Sequence, residues 1–252
     1  IDPWYLFSDD VRIAEYQDTS WVAQVDVGAN IIEYGEVRLG AVYGRRTFEL
    51  QSGGFLFPSR LATSIGAIEG VARFDRLDSV NFPHRGYFAS AGVYSSLSAL
   101  GADEEYTKWD ARLNGAATWG RHTLEALVTA GGTLGSNDVP IYDQFNLGGF
   151  LYLSGLQRQQ IKTQDFQFGR LVYRTRMGNI PFFEGVYLGA SAEAARTKPL
   201  IKIWNGQPVD GYLNVQAGSV FLGIDSPLGP LYVGFGYSSK ENSAIYLFLG
   251  RP

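Results

Sequence analysis

The sequence predicts an all-β protein, a single antiparallel transmembrane β-barrel domain of about twelve strands over residues 1–252. Apolar and polar residues alternate with a period of two along most of the chain, as on strands with one apolar and one polar face. Glycine is frequent, with 31 residues, aromatic residues make up 14% and charged residues only 18%. This composition favours strands and tight turns over helices, because glycine destabilises helices and aromatic side chains prefer pleated sheets. Short turns also alternate with long loops along the chain.

The net charge, the lack of cysteine and the first residue of the sequence indicate which partners and which compartment to expect. The formal net charge is −4 and cysteine is absent. Because no excess of basic side chains can neutralise phosphates, the charge argues against a nucleic-acid partner. A chain without cysteine suits an oxidising compartment. The sequence begins at Ile1 without a signal peptide, which predicts a mature fragment or one domain of a longer protein.

The alternation assigns the strands in order along the chain. The first is short, and the second continues through the long alternating stretch that contains Trp21 and Asp26. Some segments alternate more weakly, but each is bounded by turn residues. The predicted strands cover residues 4–7, 11–29, 35–43, 65–76, 86–98, 105–120, 123–132, 169–177, 186–196, 212–221, 231–239 and 244–250.

The stretch "EYTKWDARLNGAATWG" (105–120) indicates what surrounds the barrel. Trp109 and Trp119 share one face with small apolar residues, and the other face carries Lys108, Asp110, Arg112 and Asn114. Ten residues at about 3.3 Å each, tilted by about 40°, span roughly 25 Å, the height of a barrel's apolar band. We therefore expect the two tryptophans in the interfacial girdles, and Asp110, Arg112 and Asn114 facing an aqueous lumen.

The same rule assigns the faces of later strands. It places the charges Arg170, Arg174 and Arg176 in the lumen. In residues 212–221 it places the apolar set with Leu213 and Val215 toward lipid, opposite Asn214 and Gln216. A soluble β-sandwich is the alternative. Its core would be packed poorly by these apolar faces, which consist mainly of alanine, glycine, leucine and valine, and the charges of both signs on the opposite faces are more typical of a water-filled lumen.

The turns fall into two classes that are typical of an outer-membrane barrel, with short turns at one end and long loops at the other. Short turns are predicted at residues 30–34, 81–86, 120–122, 179–185 and 226–230. Long loops are predicted near residues 45–60, 135–165, 197–210 and 239–243.

Three motifs resemble the bacterial surface-antigen family, the outer-membrane protein 85 superfamily. "RFDRLDSVNFPHRGYFASAGV" (73–93) is similar to its strand–turn–strand signature, with a periplasmic turn marked by Pro83, Arg85 and Gly86. "FNLGGFLYLSGLQ" (145–157) resembles the loop that folds back into the lumen. "IDSPLGPLYVGFGYSSKENSAIYLFLGRP" (224–252) resembles the final hairpin. The resemblance implies sixteen strands in the natural protein, of which about four precede this chain.

The lumenal loop motif here reads Leu153, Ser154, Gly155 and Leu156, with serine where the family usually has arginine. In this respect it is more similar to the barrels that follow patatin-like phospholipases, the type Vd autotransporters. The family resemblance implies Glu193 as the partner of the loop. Without the loop arginine, Glu193 has an alternative across neighbouring strands, an arginine among residues 170, 174 and 176.

The sequence predicts no catalysis, metal or cofactor in this chain. A patatin-type lipase needs a Gly-x-Ser-x-Gly turn, and the nearest approaches, "ATSIG" (62–66) and "GASAE" (189–193), lie in predicted strands. The two histidines, His84 and His122, fall in separate turns. The predicted function is an outer-membrane translocator for an N-terminal passenger, implied by the resemblance to be a patatin-like lipase. The alternatives are an assembly or insertion factor, a two-partner secretion transporter or a plain diffusion pore.

The expected location and partners follow from this reading. They are the bacterial outer membrane, its lipids, the barrel-assembly machinery and the protein's own passenger domain. The small side chains on the lipid-facing surface would also allow two copies to pack together as a homodimer.

Overall fold

The computed structural model describes residues 2–8, 11–54, 57–178, 185–199, 203–204, 207–208, 211–240 and 242–250. Most of the predicted turn at 179–185 therefore lies outside the described residues. The described residues contain two short 3-10 helices, Ser98–Leu100 and Ile141–Asp143, and no α-helix. Within them, no helix has the length and apolarity that crossing a membrane requires.

The described residues form fifteen strands. The longest are in the N-terminal half, and the two shortest form a small hairpin beyond β10. The strands are β1 (Asp2–Ser8), β2 (Val11–Ile32), β3 (Gly35–Gly53), β4 (Arg60–Asp75), β5 (Gly86–Ser96), β6 (Tyr106–Trp119), β7 (His122–Leu134), β8 (Phe145–Leu147), β9 (Ile161–Gly178), β10 (Gly185–Pro199), β11 (Ile203–Trp204), β12 (Gln207–Pro208), β13 (Leu213–Ser226), β14 (Gly229–Ser238) and β15 (Ser243–Leu249).

One large sheet contains 13 of these strands, and neighbouring strands follow chain order once the short strands β8, β11 and β12 are set aside. The order runs β1-β2-β3-β4-β5-β6-β7-β9-β10-β13-β14-β15, with β8 paired to β9 and with β11-β12 apart from the sheet. The pairs are antiparallel, from β1 with β2 to β14 with β15. The predicted fold class is confirmed: the chain is an up-and-down antiparallel barrel sheet.

The two faces of the sheet have the chemistry that the alternation predicts. Large apolar side chains on the outer face are open to the surroundings: Leu113 is 56% exposed, Val128 58% and Leu171 51%. Trp119 is 53% exposed on this face, and Trp109 is partly buried beside Gly132. In a membrane barrel, hydrocarbon covers such a surface.

The faces of β13 are the reverse of the prediction along the strand. Leu213 and Val215 are 4% and 1% exposed and pack inside the barrel, whereas Asn214 and Gln216 are exposed on the outside. Phe221 is also buried inside, at 4% exposed, whereas Val220 and Leu222 are 57% and 48% exposed on the outside. The prediction was wrong because it assigned the larger apolar face of every strand to lipid. Along β13 the inside of the barrel is filled by protein, so these apolar residues point inward.

Two connections enter the barrel from opposite ends. We call residues 148–160 the lumenal loop and residues 76–85 the lumenal turn. The predicted short turn at 81–86 is in fact part of a ten-residue connection, since β4 ends at Asp75 and β5 begins at Gly86. The lumenal turn folds inward and places Phe82 against Tyr187 of β10 and Tyr232 of β14. Parts of the inner face are therefore covered by packed side chains of the inserted segments.

Candidate functional site: the two segments inside the lumen

The backbone of the lumenal loop adopts conformations that free chains avoid. Leu151, Leu153 and Gln159 have φ of 57°, 72° and 61°. Each residue of this kind costs roughly 1–3 kcal/mol and persists only where surrounding contacts determine it. The barrel wall must therefore supply the contacts that hold the loop.

One carboxylate of the wall holds the centre of the loop. Glu193 of β10 accepts hydrogen bonds from the backbone N–H groups of Leu153 and Ser154, at 2.6 and 2.7 Å, and from the Ser154 hydroxyl at 2.7 Å. Ser191 donates to the same carboxylate at 2.6 Å. Ser154 is 0% and Glu193 4% exposed. A buried carboxylate needs such donors, because desolvating a charge is costly without them.

This arrangement decides between the two partners considered for Glu193. The carboxylate contacts the loop at Ser154, the position where the family usually has arginine. The alternative was an arginine on a neighbouring strand. Arg170 and Arg174 form their ion pairs with Glu125 instead. A serine can stand at this position because the backbone N–H groups donate alongside its hydroxyl.

Apolar packing secures the rest of the loop. Leu153 and Leu156 are 0% exposed and join the core cluster that includes Leu213 and Val215. Phe150 packs on Phe221, Tyr232 and Tyr246, with ring centroids 5.0–5.7 Å apart.

Gly155 lies where the loop passes the end of β14. It has φ of 99°, and a Cβ there would lie 2.6 Å from the Asn242 carbonyl oxygen and 2.7 Å from the Ser238 nitrogen. Its own N–H donates to the Tyr246 hydroxyl at 2.8 Å. Only glycine has both the conformation and the size for this site.

The segment that precedes the lumenal loop is held at the opposite wall. Asp143 accepts from the Tyr106 hydroxyl at 2.6 Å and from the Lys108 ammonium at 2.5 Å, both on β6. Tyr142 lies 3.1 Å from the Thr63 hydroxyl of β4. The long connection between β7 and β9 thus crosses one end of the lumen.

The lumenal turn is organised by its own residues. Asp78 Oδ1 accepts the backbone N–H groups of His84 at 2.8 Å and Arg85 at 3.0 Å. Burial acts to raise the pKa of Asp78, but the N–H groups of Arg85 and His84 and the His84 ring together lower it below the ordinary value. Gly86, with φ of 104°, starts β5 directly after the turn.

Aromatic packing and one arginine fix the turn inside the barrel. Phe82 is 3% exposed, and its ring stacks 4.6 Å from Tyr187 and lies 5.2 Å from Tyr232. The Pro83 carbonyl accepts a hydrogen bond from Arg174 of β9. Arg85 is exposed. The turn motif of Pro83, Arg85 and Gly86 therefore combines a buried half with a half that faces solvent.

Glu125 is the site residue that the sequence did not single out. It pairs with Arg170 at 3.0 Å and Arg174 at 2.8 Å. The strand register explains this, because Glu125 of β7 lies directly opposite Val172 of β9, between the two arginines. Its place on the charged face of β7 was visible in the sequence, but the β7–β9 register was not.

A cavity of about 790 Å³, which we call the chamber, lies inside the barrel between these segments. Charged groups of both signs line it together with apolar side chains. Asp110 and Arg112 face it in exposed positions, while Asn114 is 6% exposed and so less open to water than expected. Arg176 is exposed nearer the end of β9. The lining includes Arg73, Asp75, Asp110, Arg112, Glu125, Arg170 and Arg174.

The two serine motifs closest to a lipase turn do not form such a turn in the described residues. Ser64 and Ser191 lie within strands β4 and β10 rather than at a strand-to-helix turn. In the part of the chain that the structure describes, no three histidine, aspartate or glutamate side chains are grouped to hold a metal ion.

An antiparallel sheet with an apolar outer face, a charged inner face and inward-folded connections defines the class of outer-membrane β-barrels. The sequence matches the Omp85 superfamily domain over residues 5–250, so the chain belongs to this superfamily. This family and fold also confirm the predicted location in the bacterial outer membrane.

The fold is also similar to a solved structure, described as the crystal structure of BamA from Haemophilus ducreyi lacking POTRA domains 1-3. The TM-score is 0.74 and the sequence identity 14%, over 93% of this chain and 53% of that chain. The chain thus spans about half the length of that protein. No curated protein matches the sequence.

Proposed function

We propose that the chain is the translocator barrel of a type Vd autotransporter, which moves an N-terminal patatin-like lipase across the outer membrane. The observation that carries the proposal is a lumen occupied from both ends by segments held through non-covalent contacts. Hydrogen bonds and ring packing can be released and remade, as transport through a barrel requires.

The lining of the chamber favours a polypeptide over one small solute as the transported molecule. Its volume of about 790 Å³ is lined by charges of both signs together with aromatic and aliphatic side chains. A lining without one dominant charge suits an unfolded chain of mixed composition. The serine in the loop motif, at Ser154, supports the type Vd subtype within the superfamily.

The likeness to BamA favours a second candidate, an assembly or insertion factor, and a two-partner secretion transporter is a related alternative. These candidates differ in what fails when the protein is lost. Loss of a translocator removes one passenger from the cell surface, whereas loss of an assembly factor lowers the amount of many outer-membrane proteins.

The test uses the full-length gene product in a Gram-negative host. Protease added to intact cells should cleave the passenger in the wild type and leave it protected when the barrel is deleted. Other outer-membrane proteins should keep their levels in the deletion strain. A general fall in those proteins, with no passenger at the surface, would refute the translocator and support the assembly factor.

The proposed partners are membrane lipids, the barrel-assembly machinery and the passenger. A second copy of the chain is a further candidate partner. It would use the lean outer surface around Ala190 and Gly218, where a shallow concavity of about 550 Å³ lies beside Phe235 and Tyr237. Chemical cross-linking in native membranes would show such a dimer.

A further inference from the structure

The lumenal loop and the lumenal turn enter from opposite ends, yet their contacts lead to one carboxylate. Glu125 Oε1 accepts from Arg170 Nη2 at 3.0 Å, and Glu125 Oε2 accepts from Arg174 Nη1 at 2.8 Å. Each oxygen of this carboxylate is therefore used by a different arginine.

Each of these arginines also holds the backbone of one inserted segment. Arg170 Nη1 donates to the Leu151 carbonyl of the lumenal loop at 2.9 Å. Arg174 Nη2 donates to the Pro83 carbonyl of the lumenal turn. A continuous series of contacts thus runs from the loop through Arg170, Glu125 and Arg174 to the turn.

Burial makes these contacts depend on each other. The side chains of Glu125, Arg170 and Arg174 are only 10%, 10% and 3% exposed. Among the described residues, neither arginine Nε has an acceptor. When one segment leaves, its arginine loses a carbonyl acceptor in a poorly hydrated place and competes more strongly for Glu125.

We propose that Glu125 couples the two segments, so that release of the lumenal loop weakens the seat of the lumenal turn, and the reverse. Glu125 acts here as a positioning residue, through the two arginines. This coupling governs how the lumen opens, and it does not depend on which molecule the barrel transports.

A second route between the segments must be separated from this one. Phe82 of the turn and Phe150 of the loop both pack on Tyr232, at 5.2 and 5.4 Å. Coupling through Tyr232 would survive neutralisation of Glu125, whereas coupling through the ionic contacts would not.

The experiment is a double-mutant cycle read by hydrogen exchange and mass spectrometry, on the full-length protein in lipid nanodiscs. Glu193→Gln releases the loop at a site remote from the turn. We expect faster exchange in peptides from 148–160 and, through the coupling, an increase of roughly fivefold or more in peptides from 76–85. In the Glu125→Gln background, Glu193→Gln should leave exchange of the turn unchanged.

The matched control is Asp110→Asn, which neutralises an exposed carboxylate of the same chamber. It should change exchange in neither segment. If Glu125→Gln fails to give a folded barrel, Arg170→Lys serves in its place, since it removes the guanidinium that joins Glu125 to the Leu151 carbonyl and spares the Arg174 pair. The proposal is overturned if Glu193→Gln leaves the turn unchanged in the wild-type background. It is also overturned if the turn responds equally in both backgrounds, which would assign the coupling to Tyr232.

Discussion

The lumenal loop and the lumenal turn both fill the barrel, but different forces hold them. The loop presents backbone N–H groups to Glu193 and carries three non-glycine residues with positive φ. The turn satisfies its own N–H groups through Asp78 and inserts one ring, Phe82, between Tyr187 and Tyr232. The loop therefore depends on the wall for its conformation, whereas the turn forms locally and depends on the wall for packing.

Because different contacts hold the two segments, different mutations should release them. Neutralising Glu193 weakens the acceptor of the loop's N–H groups and should affect the loop first. Removing ring volume should affect the turn first, because its internal hydrogen bonds do not depend on the ring.

The largest effect is expected from Phe82→Ala. Truncating a buried aromatic side chain costs about 3–5 kcal/mol, because the ring contacts are lost and a cavity remains. Equilibrium unfolding in detergent would measure the loss. Val80→Ala, at a position 62% exposed in the same turn, should cost under about 0.5 kcal/mol. Similar losses for both variants would mean that packing does not hold the turn.

Glu193→Gln should cost roughly 2–4 kcal/mol, since at least one buried donor of the loop loses its acceptor and the others lose a charged one. The same unfolding measurement applies. Asp110→Asn, at an exposed position of the chamber, should be nearly neutral. A Glu193→Gln variant as stable as the wild type would show that packing alone holds the loop.

Leu113→Arg tests the premise that both segments lie inside a lipid-embedded barrel. A charge facing hydrocarbon near mid-depth costs about 2–4 kcal/mol. The inner-face control is Val22→Arg, at a position 50% exposed on the face of β2 that also carries Gln24 and Asp26. Comparable losses for both variants would reverse the assignment of faces.

Gly155→Ala tests the close contact between the lumenal loop and the end of β14 without changing a charge. We expect a cost of roughly 2–3 kcal/mol, from the left-handed backbone and from contact with the backbone at Ser238 and Asn242. Gly135→Ala has a similar φ of 93° but open space around it, so it isolates the backbone cost of about 1–2 kcal/mol. Equal losses would mean that the close approach to β14 is not tight.

The smallest effect concerns pH and the turn. The pKa of Asp78 is lowered from its ordinary value of 3.8. Its contribution is therefore present above that value and lost as the pH falls through the lower, folded-state value. Asp78→Asn should cost about 1 kcal/mol at neutral pH, and its difference from the wild type should shrink below pH 4. A difference that stays constant down to acid unfolding would contradict this role. Asp138→Asn, at an exposed loop position, is the control.

Much of the fold could be predicted because membrane strands repeat a period of two, which a sequence displays directly. The strand order, the outer face with Leu113 and the inner face with Arg112 required nothing more. The β13 faces were wrong because alternation states which residues share a face, and says nothing about what lies against that face. Only residues 81–86 were predicted as a turn, because proline and glycine mark the end of the lumenal turn but not its path.

The candidate site divides in the same way. The loop motif around Ser154 and the lumenal charges could be named from the sequence, and the resemblance implied Glu193. The sequence left open which acid would meet which base, since Arg170 lies opposite Leu127 on one neighbouring strand and opposite Glu193 on the other.

By itself, the sequence determined a two-faced antiparallel barrel of the outer membrane, because local alternation and turn residues encode strand period and strand ends. Only the tertiary structure decided that Glu193 holds the loop while Glu125 joins two arginines, each bound to a different inserted segment. The physical reason is that buried charges are distributed by competition among all donors within reach. That set of donors exists only once distant strands and both inserted segments are packed together.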